Sequence, residues 1–151
     1  MRATFLLATI AMAAVACDAA PTEIFAPVAG PAPSGLPVTL GITPSTATPF
    51  AGPPIAADGD SLVATAEYEA SGCFDYAATA GFSDGTLVVT IAEKSSATVR
   101  YCALGKGTAV FRAVVRPAPR GAFAVVLRQR LEWANDSPVE RELARGSASF
   151  P

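Results

Sequence analysis

Histidine is absent from all 151 residues of this chain. Its absence excludes Ser-His-Asp and Cys-His hydrolases, His general bases and His-ligated zinc. There is no CxxC pair and no phosphate-cradling glycine loop. Charge is sparse, at 16% of residues with a net of −2, and aromatic and basic residues do not interleave. Nucleic acid is therefore not an expected partner. After the N-terminal segment, no apolar run approaches the roughly 18 residues that a membrane-spanning helix needs. The chemistry left open is that of carboxylates, Lys, Tyr and Ser, and no cofactor is expected.

The one sustained apolar run lies at the start, from Phe5 to Val15, introduced by Arg2 and closed by Ala14-Val15-Ala16. This is the build of a secretory signal peptide: a basic residue, a short apolar stretch and small residues before the cut. Cys17 follows at once. Met1 to Asp18 thus resembles the lipobox segment of bacterial lipoproteins, with Ala14 where Leu is more usual. The resemblance implies cleavage after residue 16 and a lipidated Cys17. Localisation would then be the cell envelope, on the extracytoplasmic side of a membrane and periplasmic if the source has two. Such a protein is anchored to the bilayer rather than spanning it. Ala14-x-Ala16 also suits the ordinary secretory peptidase, which would leave Cys17 unmodified.

If lipid takes Cys17, two cysteines remain, Cys73 and Cys102, an even number in an oxidising compartment. A Cys73–Cys102 bridge would close a loop of about 30 residues and contribute on the order of 3.5 kcal/mol in the chain-entropy model. No metal site is expected.

Nine of the 13 prolines fall between Asp18 and Ala57: Pro21, Pro27, Pro31, Pro33, Pro37, Pro44, Pro49, Pro53 and Pro54. Proline removes the N–H donor that a strand ladder needs. Residues 17–57 therefore read as a disordered tether of polyproline and coil character, with residues 1–16 as signal peptide and 58–151 as the folded domain. A chain starting near Ala56 should then fold on its own. One stretch competes with that boundary: Leu36, Val38, Leu40 and Ile42 alternate like an edge strand.

From Asp58 onward apolar residues recur at every second position, and turn residues at roughly every tenth. Leu62, Ala64, Ala66 and Tyr68 alternate with Val63, Thr65, Glu67 and Glu69. Ser71-Gly72 turns the chain into Phe74, Tyr76 and Ala78. Asp84-Gly85 signals a tight hairpin before Leu87, Val89 and Ile91. Ala97 to Leu104 reads as a further strand, followed by the turn Gly105-Lys106-Gly107. Ala109, Phe111, Ala113 and Val115 come next, and Pro117 to Gly121 breaks the run. The longest strand has Phe123, Val125, Leu127, Leu131 and Trp133 inward, and Arg128, Arg130 and Glu132 outward. The last segment is ambiguous. Ser137-Pro138-Val139-Glu140 is a capping box, suggesting a short helix from Pro138 to Arg145. Alternatively Val139 to Phe150 returns as a strand, setting Glu140 or Glu142 against Arg128 or Arg130. The hairpin is preferred, because the preceding strand needs a partner.

These spacings predict an all-β fold, a small antiparallel β-sandwich. Pro119-x-Gly121-x-Phe123-x-Val125-x-Leu127 resembles the strand pattern of immunoglobulin-like and fibronectin-like modules of secreted bacterial proteins. That resemblance implies a generic immunoglobulin-like sandwich. It departs from antibody domains, because Trp133 follows both cysteines instead of lying between them.

Between Cys17 and Val99 there are nine acidic residues against Lys94 alone, and from Arg100 onward nine basic against four acidic. This asymmetry reads either as complementarity between strands or as a binding face of Arg112, Arg116, Arg120, Arg128 and Arg130 on adjacent strands. Asp58-Gly59-Asp60 reads as a polar turn rather than a calcium loop. Glu67 and Glu69 share a strand face and read as a solvated edge. Tyr68, Tyr76 and Tyr101 are expected in the core, with their hydroxyls at its rim. The expectation for function is a monomeric, non-catalytic binding or structural module, held at a membrane by its lipid and facing an envelope protein or polysaccharide. An inhibitor of an extracytoplasmic enzyme would instead need a protruding loop, with Gly105 to Gly107 or Pro117 to Gly121 as candidates. An enzyme would need converging carboxylates with raised pKa values.

Overall fold

A computed structural model describes residues 35–45, 49–95, 106–133 and 136–151. Eight strands follow in chain order: β1 (Val38–Pro44), β2 (Ile55–Asp58), β3 (Ser61–Ser71), β4 (Phe74–Ser83), β5 (Thr86–Ser95), β6 (Lys106–Val115), β7 (Gly121–Glu132) and β8 (Val139–Phe150). They form two four-stranded sheets, ordered β1-β6-β3-β2 and β4-β5-β7-β8. The alternation that predicted these strands also aims their side chains. Leu62, Ala64 and Tyr68 of β3 and Ala109, Phe111, Ala113 and Val115 of β6 meet Leu87, Val89 and Ile91 of β5 and Val125 and Leu127 of β7 in one core. Phe111 is its centre, stacked on Tyr68 at 4.0 Å and tilted against Tyr76 at 5.2 Å. Each large side chain buried there contributes roughly 1.5–3 kcal/mol.

Local chemistry sets the turns. Asp84 and Gly85 both take positive φ, 51° and 75°, the conformation that a two-residue hairpin between twisted strands requires. The β2–β3 turn carries Gly59, also at positive φ. The last segment is the hairpin and not the helix: β8 lies antiparallel beside β7, with Arg128 opposite Glu142 and Arg130 opposite Glu140. Gly146 lies within β8, opposite Val125. A Cβ there would lie 3.2 Å from the Ile55 side chain, so the glycine lets β8 approach β2 where the two sheet edges meet.

Three expectations need correction. The sheet begins well before Asp58. β1 pairs along its whole length with β6, Leu40 is 3% exposed, and β2 pairs with β3. The alternating Leu36 to Ile42 pattern outweighs its prolines because an edge strand needs only one of its two ladders. Leu36 itself donates its N–H to Ala80 of the opposite sheet at 2.9 Å, tying the chain's entry to both sheets. The sheets are also not wholly antiparallel, since β5 and β7 run parallel. The chain leaves β5, enters the other sheet as β6, and returns to β5's side from the same end. Third, Trp133 is not a core residue: it is 47% exposed. The expected strand Ala97 to Leu104, with Tyr101, lies outside the described residues.

The sandwich has two distinct ends. One holds the β4–β5 turn, the β6–β7 connection and the point where the chain enters at Leu36. Phe82, Phe123 and Phe150 form an aromatic row there. The other end holds the β3–β4 turn with Cys73, the close of β5 and the β7–β8 connection.

Candidate functional site

At the end away from the chain entry, polar residues fall in step with the apolar face of two strands. On β5 the inward series Leu87, Val89, Ile91 continues to Glu93; on β7, Val125 and Leu127 continue to Gln129. Both polar residues are only 3% exposed. Burying such groups is costly unless they are paired. They pair with each other, the Gln129 side-chain amide donating to Oε1 of Glu93. Arg141 of β8 in turn donates its Nε–H to Oε1 of Gln129.

Arg141 occupies that place because of a β-bulge. The β7–β8 register runs Leu127 opposite Ala144, then Arg128 opposite Glu142, so β8 carries Leu143 as an extra residue. An unbulged ladder would set Glu142 opposite Gln129 and add a second carboxylate next to Glu93. The bulge brings Arg141 opposite Gln129 instead, which is the re-aiming that bulges achieve near sites. Glu142 is turned outward to Arg145, at 2.7 Å, which lowers its pKa.

The Arg141 guanidinium also lies over the Tyr68 ring, 5.8 Å from its centroid. The Tyr68 hydroxyl is enclosed without a well-aligned hydrogen bond among the described residues. Burial, with the Glu93 carboxylate beside it, pushes its pKa far above the tyrosine range. Burial likewise raises the pKa of Glu93, against the downward pull of the Gln129 hydrogen bond, the neighbouring Tyr68 hydroxyl and the Arg141 charge.

Above this network opens a cavity of about 270 Å³, lined by Glu69, Ala70, Ser71, Phe74, Glu93, Gln129, Leu131, Trp133 and Arg141. Its floor is polar and buried, and its rim is aromatic. Phe74 and Trp133 meet edge to face at 5.0 Å and 79°, which fixes the orientation of the indole. Among the described residues, no group of three Asp, Glu or Cys side chains is arranged to hold a metal ion.

The residues singled out from sequence are placed differently. Arg112, Arg116, Arg128 and Arg130 do not form one face, because β6 and β7 belong to different sheets. Arg112 pairs with Asp58 at 3.9 Å and Arg116 with Asp60 at 3.1 Å on one sheet. Arg128 pairs with Glu140 at 3.7 Å, and Arg130 with Glu132 at 2.8 Å, on the other. Arg120 is exposed in the β6–β7 connection. The charge asymmetry along the chain is thus spent across strand pairs. Glu67 and Glu69 also part company. Glu67 accepts from the Ser45 hydroxyl and, at 2.7 Å, from the Phe50 N–H, which pins residues 45 and 50 to β3, while Glu69 lines the cavity. Pro117 to Gly121 does not protrude: Ala118 donates to the Asp60 carbonyl at 2.8 Å.

Cys73 lies in the β3–β4 turn, with its N–H 3.3 Å from the Ser71 hydroxyl. Cys17, Cys102 and Gly105 lie outside the described residues. Of the cavity's residues, Phe74, Leu131 and Trp133 were read from the sequence as inward and Glu69 as a solvated edge, while Glu93 and Gln129 were signalled only as polar positions in phase with an apolar stripe. No protein-family model, curated protein or solved structure matched the chain when it was compared with them.

Proposed function

We propose that this protein is a lipid-anchored component of a bacterial cell envelope whose β-sandwich is a non-catalytic binding module. It takes its ligand at the Trp133–Arg141 end. The observation that carries this reading is the cavity itself, a buried hydrogen-bonded floor under an aromatic rim, at the end of the domain opposite the chain's entry. The polarity suits a tether. A lipid on Cys17 would hold the entry end toward the bilayer, and the 17–34 segment reaches several tens of Å if extended. The cavity would then face away from the membrane. Binding by one end of a sandwich is also how immunoglobulin-like modules use the fold, the kinship suggested by the Pro119 to Leu127 pattern.

The proposed Cys73–Cys102 bridge would staple this same end. Ser95 and Lys106, which flank the segment containing Cys102, lie at the end where Cys73 turns. Glu69 and Glu93 do line one cavity, the pattern an enzyme would need. Glu93, however, is almost wholly buried and accepts from Gln129, which leaves it as scaffolding rather than as a proton donor to a ligand. An inhibitory loop gains no support from Pro117 to Gly121, which is held against the β2–β3 turn. The protein is read as a monomer without a cofactor, with a polysaccharide or an envelope protein as its partner.

The test places a photo-crosslinking amino acid at Glu69, in the cavity, and in a second strain at Arg120, at the other end. On irradiation of intact cells, the Glu69 position should give a discrete adduct that Arg141→Ala abolishes, and the Arg120 position should not. Equal labelling from both ends, or none from Glu69, would refute the assignment.

A further inference from the structure

We infer that the cavity binds a neutral saccharide, with one sugar ring on the Trp133 indole and its hydroxyls toward Arg141. This inference rests on the binding-module reading above and adds the ligand's chemical class.

The rim supplies the first half of the argument. Trp133 is 47% exposed although Phe74 and Leu131 stand beside it, so a flat aromatic surface is held open to solvent instead of folding into the core. The apolar C–H face of a pyranose covers such a surface without needing an apolar ligand. The Phe74 contact at 5.0 Å keeps the indole from collapsing inward, so little ordering remains to be done on binding.

Arg141 supplies the second half. A guanidinium has five N–H donors in a rigid fork. One is committed, Nε–H to Gln129, and Gln129 is in turn fixed by the buried Glu93. The terminal nitrogens make no hydrogen bond or ion pair with any described residue. The fork is therefore aimed and part-used, at the edge of a cavity with an aromatic wall. Paired donors at fixed spacing suit vicinal hydroxyls.

Charge decides between a neutral ring and an anion. Among the described residues of the lining, Arg141 is the cation, and the carboxylate of Glu69 stands in the same wall. An anionic ligand would meet that carboxylate, while a neutral polyol can use donors and acceptors alike. Glu93, at the floor, is 3% exposed and already engaged by Gln129, so Glu69 is the carboxylate that a ligand in the cavity would face.

The chain carries its own reporter, because Trp133 is its only tryptophan. The intact mature protein, in detergent, would be titrated with chitotriose, cellotriose and maltotriose, and separately with citrate, while indole emission is followed. At least one trisaccharide should shift and saturate the emission. Arg141→Ala should weaken that response about tenfold or more, as expected for loss of hydrogen bonds from a charged donor. Arg141→Lys should not restore it, whereas Arg128→Ala, on the outer face of the same sheet, should leave it unchanged. Thermal melts of each variant would confirm that it is folded. Silence with all three sugars, or a response that survives Arg141→Ala in a folded protein, would overturn the saccharide assignment. So would citrate binding as tightly as the sugars with the same dependence on Arg141, which would make this an oxyanion site. If the Glu69 crosslink persists while the sugars are silent, the ligand class alone falls. If both fail, the binding module falls with it.

Discussion

Glu93 continues the inward series of Leu87, Val89 and Ile91, so its carboxyl lost most of its water when the sheets closed. Its pKa is raised, chiefly by that burial. For an acid with a raised folded-state pKa, the native state binds more protons than the unfolded chain between the two values, so stability falls as pH rises through that window. The exposed acids Asp60, Glu67 and Glu142 go the other way. Their pKa values are lowered by Arg116, Ser45 and Arg145 respectively, and their contribution is lost as pH falls. Glu93→Gln separates the two effects, because it keeps an acceptor for Gln129 and removes only the titration. The variant should melt higher than the parent at pH 7.5 and level with it near pH 4. A lower melting temperature at pH 7.5 would mean that the ionised carboxylate is a net asset, bound more tightly to Gln129 and Arg141 than its desolvation costs.

At the scale of the element, β1 is the strand whose removal is most informative. It covers one edge of β6 along seven residues and brings Leu40 into the core, with Leu36, Val38 and Ile42 packed against it. A chain beginning at Ile55 gives up at least ~3 kcal/mol of apolar burial. Its melting temperature should fall by about 10 °C or more, or its cooperative transition should vanish. An unchanged melt would restore the boundary near Asp58. Strands whose apolar period runs unbroken, such as Leu62 to Tyr68 and Ala109 to Val115, were legible in the sequence. So was the Asp84-Gly85 turn, because its chemistry is local. The Arg128/Arg130 against Glu140/Glu142 pairing was legible too, since register follows once a hairpin is assumed. What was not legible depends on partners distant in sequence. Arg141 reaches Gln129 only through the Leu143 bulge, which no alternation pattern announces. Trp133 sits in phase with the core face but past its end, where the sandwich has opened. Glu93 and Gln129 look like ordinary strand-end polar residues until the two strands are known to lie side by side.

For the whole molecule, two covalent modifications remain to be tested. The Ala14-Val15-Ala16-Cys17 sequence predicts that protein extracted from membranes has a mass equal to a chain starting at Cys17 plus acyl groups. A soluble chain starting elsewhere, or an unmodified Cys17, would remove the anchor from the proposal. A Cys73–Cys102 bond should appear as a linked peptide in a non-reducing digest, and a reductant should lower the melting temperature by roughly 10 °C or more. Free thiols in the oxidised protein would exclude it. The parallel contact between β5 and β7 has a consequence in time. Hairpins β4–β5 and β7–β8 can each close from nearby residues, yet they can join into one sheet only after the intervening chain has crossed over as β6. β6 settles between β1 and β3, both of which lie far from it in sequence. Neither sheet can therefore be completed before the other has begun. Assembly is governed by distant contacts, which makes it slow for a domain this small. It also means that the two layers cannot be separated into independently folding halves.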